Sequence, residues 1–109
     1  MANTFKNKVI ADIGTVADGY TVPANTTTTV IGMTVANNTV SNIEIDVVVV
    51  DTSAGVSAYI IKDAIVPTGG NIVVIGGDQK VVLETGDELN VLSNINNSAD
   101  VVISMMETT

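Results

Sequence analysis

Thirty-one of the 109 residues are valine or isoleucine, while leucine occurs only at Leu83, Leu89 and Leu92. β-Branched side chains fit a pleated surface and lose rotamer freedom in a helix. The polar positions favour threonine and asparagine over the helix formers glutamate, lysine and glutamine. No stretch sustains a helical period. Such a chain is confined to an all-β fold. Its length suits one domain, which can bury roughly two-thirds of the surface its unfolded chain exposes.

Alternating segments recur between clusters of Gly, Asn, Asp and Pro, and each reads as a strand. They fall at Lys8–Ile13, Tyr20–Thr21, Thr26–Asn37, Ile43–Asp51, Val56–Val66, Ile72–Ile75, Lys80–Leu83, Leu89–Leu92 and Val101–Glu107. Simple alternation in the third puts Thr27, Thr29, Ile31, Met33 and Val35 on one face and Thr28, Val30, Gly32 and Thr34 on the other. In "IEIDVVVVD", Ile43, Ile45, Val47 and Val49 share one face, and Val48 and Val50 share the opposite face with Glu44 and Asp46. The segment "VSAYIIKDAIV" is interrupted near Lys62-Asp63, as a β-bulge would do. "ETGDE" (84–88) reads as a hairpin tip with solvated charges, and "GGDQ" (76–79) as a turn with a positive φ. Eight or nine strands at this spacing predict a single antiparallel β-sandwich or small jelly-roll-like domain.

Two phrases echo each other: "VPANTTTTVIG" (22–32) and "VPTGGNIVVIG" (66–76). Proline cannot donate to a ladder, so Pro23 and Pro67 belong at strand ends. Read physically, the phrases are equivalent corners of two strand motifs. The four threonines of the first form an extended polar stretch, so Thr26, Thr27 and Thr28 are candidate contact residues.

Composition excludes several chemistries. There is no His, Cys or Arg, so the common nucleophile–base pairs and thiolate metal sites cannot be built. The paired acids Asp87 and Glu88 point to opposite faces of a strand. The expectation is therefore no enzyme and no cofactor. Calcium needs oxygen ligands in a defined loop; no such loop is present, although Asp78, Asp87 and Asp100 could meet in space. The expected metal complement is none. Twelve acids against four lysines give a net charge of −8, which repels phosphate backbones and anionic lipid. Neither nucleic acid nor a membrane is an expected partner. "MANTFKNKVIADIG" lacks an apolar core of signal-peptide length, so synthesis in the cytoplasm with no export address is expected. Residues 1–8 form a possible N-terminal arm ahead of a sandwich over 9–109. Lys6 and Lys8 would give that arm positive charge.

From Tyr59 onward the chain reads "YIIK", then the Pro-Gly corner "PTGG", then "GGDQKVVLETGDELNV", a polar loop and a last strand ending near Glu107. With "YTVPANTTTTVIGMTVAN" upstream, this pattern resembles a family of small β-sandwich virion structural proteins of tailed bacteriophages, many marine or cyanobacterial. The most specific stretch is Gly76 to Gly86. The resemblance implies a structural component of the virion. The first reading is a capsid decoration, or cement, protein that binds major capsid protein and stabilises the assembled head. A neck or tail component, such as a ring or fibre-adaptor subunit, is the alternative, and a carbohydrate-binding module the third. The implied partners are major capsid protein or other virion proteins, and further copies of the chain, with trimers at local three-fold positions as one arrangement. Edge strands and the apolar pair Val48 and Val50 are the expected contact surfaces.

Overall fold

The computed structural model describes residues 2–109, which form nine strands and no helix. These are β1 (Asn3–Ile13), β2 (Asp18–Thr21), β3 (Thr27–Asn37), β4 (Ile43–Asp51), β5 (Val56–Val66), β6 (Asn71–Ile75), β7 (Val81–Leu83), β8 (Glu88–Ser93) and β9 (Ala99–Thr108). They pair antiparallel throughout, in two sheets. Sheet one runs β1-β9-β3, and the far side of β3 is shared by β6 and β7. Sheet two runs β2-β8-β4-β5. The fold is the expected all-β sandwich.

The core lies between the sheets, fed by alternate residues of each strand. Val30, Met33, Val35, Ile103 and Met105 from sheet one meet Ile43, Ile45, Val47, Leu89 and Val91 from sheet two, all at most 1% exposed. Each fully buried aliphatic side chain contributes about 1.5–3 kcal/mol relative to exposure. β2 reaches the core at its edge because Gly19 has no side chain. A Cβ there would lie 1.9 Å from the Leu89 carbonyl oxygen.

Simple alternation fails in β3. The buried residues are Thr28 and Val30, then Met33, Val35 and Asn37, so the inward set switches parity. The cause is an extra residue: the register against β9 shifts between Val30 and Gly32. Ile31, expected on the Met33 face, sits in this bulge, half-buried. The predicted bulge in β5 is present, with Asp63 at φ 53° and register shifts against β4. A third bulge, in β1, has Asp12 at φ 58°.

The echoed phrases occupy matching places. Val22-Pro23 leads from β2 to β3 and Val66-Pro67 from β5 to β6, so both carry the chain from sheet two to sheet one. Val22 and Val66 are buried at these corners. "ETGDE" is not a hairpin tip, because β7 belongs to sheet one and β8 to sheet two. Asp87 is not solvated either: its carboxylate accepts the backbone N–H of Glu84 at 3.0 Å and of Thr52 at 3.3 Å, and it is 3% exposed. The "GGDQ" turn is as expected, with Gly77 at φ 60°.

Residues 3–8, expected as an arm, are the first half of β1 and pair with β9 from Asn3↔Thr108 to Lys8↔Ile103. Their backbone is part of sheet one, although all their side chains are exposed. Met1 of that segment lies outside the described residues.

Candidate functional site

The two sheets present outer faces of different chemistry. On sheet one, cross-strand register aligns side chains into rows. One row is Val9–Val102–Thr34–Val73. Another is Phe5–Met106–Thr29–Val82. Between them runs Asn7–Ser104–Gly32. Phe5, Val9, Val73 and Val82 are 63–75% exposed and Val102 is 47% exposed. No charged residue lies in these three rows. A hollow of about 300 Å³, lined by Phe5, Lys6, Asn7, Ile31, Ser104 and Met105, lies beside the middle row, with Lys6 at its edge-strand side. Asp100 stands beyond the valine row, opposite Ala36.

On sheet two the outer face is bordered by acids. Val48 lies opposite Tyr59 and Asn90, and Val50 opposite Ser57 and Glu88. Glu44 and Asp46 continue the same side of β4. Val48 and Val50 are half-buried, and Tyr59 is exposed. The Lys62 ammonium sits 5.2 Å from the Tyr59 ring centre, within cation–π range. The neighbouring Asp63 carboxylate holds the Lys62 pKa above its ordinary value.

The remaining sequence candidates fall elsewhere. Lys6 and Lys8 pair with the buried residues Met105 and Ile103, which places them on the inward side of edge strand β1. Lys6 Nζ is 3.0 Å from Glu107 Oε1. Glu107 Oε2 accepts the Tyr20 hydroxyl at 2.6 Å, and that hydroxyl is 2.7 Å from Thr28 Oγ1. A groove of about 460 Å³ opens beside this chain of contacts, lined by Lys6, Lys8, Tyr20, Pro23 and Glu107 among others. The Tyr20 hydroxyl donates to Glu107, and with Lys6 it holds the carboxyl below its ordinary range. Burial, and then the bond to Glu107, push the Tyr20 phenol up to about 12. The threonine run is not a uniform contact stretch. Thr28 is fully buried in this network, and Thr26 is buried against Thr85, whose hydroxyl donates to the Thr26 carbonyl at 2.6 Å. Thr27 alone of the three is exposed.

No protein-family model and no curated protein matches the sequence. Among solved structures, the backbone is similar to a protein of the T13 viral particle of IBDV, with 11% identity and a TM-score of 0.48 over 96% of this chain and 30% of that one. It is also similar to the extra small virus VLP of the giant freshwater prawn Macrobrachium rosenbergii, with 13% identity and a TM-score of 0.43 over 98% of this chain and 79% of that one. A third likeness is to the VP2 subviral particle of infectious bursal disease virus, with 12% identity and a TM-score of 0.42 over 96% and 36%. This chain therefore spans about a third of the length of the bursal disease virus proteins.

Asp78, Asp87 and Asp100, which could have met in space, are not gathered. Among the described residues, the carboxylates that gather are Asp51, Glu84 and Asp87, with one oxygen of each within 4.8 Å of the others. Two of them already serve backbone turns. Asp87 caps as above, and Asp51 Oδ1 accepts from the Ser53 hydroxyl at 2.8 Å and from Ala54 N–H at 3.0 Å. Those donors, led by Ala54 N–H, hold the Asp51 carboxyl below its ordinary range. Sequence reasoning missed the Glu107–Tyr20 link and the apolar rows of sheet one. Both depend on strands far apart in the chain.

Proposed function

We propose that this chain is a structural protein of a virion, and specifically a decoration protein that binds major capsid protein in the assembled head of a tailed bacteriophage. The observation that carries the reading is the two-faced sandwich: one face whose central rows are uncharged and largely apolar, and one acid-bordered face, on opposite sides of the core. Two separate contact surfaces suit a component that touches both the shell and a neighbouring copy, since exposed apolar patches mark interaction sites. The resemblance carried by Gly76 to Gly86 supplies the class of particle. The acid-bordered face suits the shell contact. Glu44, Asp46 and Glu88 border Val48, Val50 and Tyr59, so the complementary surface has an apolar centre and a basic rim. Binding only the assembled state stabilises it by mass action. On this reading the chain does no covalent chemistry, and its place is the virion.

Counting the protein in purified particles tests the proposal. A symmetric shell requires on the order of hundreds of copies, whereas about a dozen or fewer would replace this reading with a neck or tail component.

A further inference from the structure

We infer that the outer face of sheet one is a two-fold interface with a second copy of this chain. Four features favour this occupant. First, the net charge is −8, and two copies meeting through most other surfaces would oppose acids. The three central rows of this face carry no charge.

Second, the pattern is self-complementary. Two apolar rows flank a middle row of Asn7, Ser104 and Gly32. A two-fold axis across the strands at the middle row sets Phe5 over Val9, Met106 over Val102 and Val82 over Val73. An axis along the strands sets each apolar row over itself reversed. In the first case apolar meets apolar and Thr29 meets Thr34; in the second Phe5 meets Val82 and Val9 meets Val73, while Met106 and Val102 meet the threonines, so no charge opposes another in either isologous contact. The hollow beside the middle row gives protruding side chains room.

Third, the area is of the right order. Strands of 10–11 residues in β1, β3 and β9, with β6 and β7 completing a fourth position, span the face. At ordinary strand spacing and rise this is roughly 700 Å² in plan, against about 800 Å² per partner in a stable complex.

Fourth, the competing mode is discouraged. Edge β1 carries Lys6 and Lys8 on its inward side and a bulge at Asp12, and edge β5 carries a bulge at Asp63. Inward charges and bulges prevent edge-to-edge pairing. The inference deepens the structural reading above but stands on this face alone, so particle copy number and solution mass can fail separately.

Sedimentation equilibrium on the purified 109-residue chain is the test. The expected mass is twice the 11.2 kDa of one chain. Val102→Glu, and separately Val73→Glu on the outer strand β6, should weaken association by about 100-fold or more in Kd, because each buries a charge in the contact. Tyr59→Glu, on the other sheet, should leave the mass unchanged. Circular dichroism and melting establish that each variant is folded; Val73 is 63% exposed, so its variant serves if Val102→Glu is not folded. A wild-type monomer at all concentrations, a trimer, or a dimer that both variants leave intact would overturn the assignment. So would a monomer that binds this face only to a different protein.

Discussion

Glu107 joins parts of the molecule that local sequence does not connect. Its carboxylate receives Lys6 from β1 and Tyr20 from β2, and Tyr20 in turn reaches Thr28 on β3. Replacing it with alanine leaves Tyr20 its bond to Thr28 but removes the charge-assisted contacts, at a cost of about 1–3 kcal/mol in denaturant unfolding. The pH dependence has a definite sign. A carboxyl held below its ordinary 4.5 in the folded protein contributes stability above that value and loses it as pH falls through the lower folded value. Thermal melts below pH 4.5 should therefore fall more steeply for the wild type than for Glu107→Gln. Tyr20 acts at the other end. With its phenol raised from 10.0 to about 12, its stabilising contribution is intact below 10 and is lost as pH rises towards 12. Ultraviolet titration at 295 nm should show one tyrosine ionising in that late window, and Tyr20→Phe should abolish the late phase. None of this was legible beforehand, since Tyr20 and Glu107 are ordinary strand residues until the sheets are stacked.

Both long edge strands use one device at the element scale. In β1, Asp12 adopts a left-handed conformation and its N–H donates to Asp100 Oδ1 on β9 at 3.0 Å. In β5, Asp63 does the same and donates to Asp46 Oδ1 on β4 at 2.7 Å. Aspartate tolerates positive φ better than most residues, and a neighbouring carboxylate fixes the bulge. Asp46→Ala removes the acceptor and should cost about 1–2 kcal/mol by chemical denaturation. A flatter β5 should also pair with other chains, so light scattering on heating should rise earlier than for wild type. Strand positions were legible because turn residues punctuate β-branched runs, and the bulge at Lys62-Asp63 showed as a charge pair in an apolar strand. The bulges at Asp12 and Ile31 left no such mark. Asp12 precedes a glycine turn, where an acid is unremarkable, and Ile31 is apolar in an apolar strand. The parity change in β3 was therefore invisible. Likewise "ETGDE" has the composition of a tip, and only sheet membership shows that it crosses between layers.

At the scale of the whole molecule, charge is distributed unevenly. Acids line the outer face of sheet two and gather at the Asp51–Glu84–Asp87 corner, while the central rows of sheet one have none. Self-repulsion at a net charge of −8 lowers the stability of the compact state. Raising salt from about 10 mM to about 300 mM shortens the screening length from roughly 30 Å to below 10 Å. Calorimetry should then show a higher Tm, and association through the uncharged face should hold or strengthen. That face could not be read from the sequence, because Phe5, Val73, Val82 and Val102 become neighbours only through the pairing of β1, β6 and β7 with β3 and β9. The same pairing dictates the order of events at the ribosome. β1 has one neighbour in its sheet, β9, and Asn3 must wait for Thr108. Closing so long a loop is entropically costly and makes folding slow. Phe5 and Val9 take their places only after the last strand has been synthesised. The apolar rows are thus the final surface to be completed, and a nascent chain cannot engage a second copy through them before its own fold is finished.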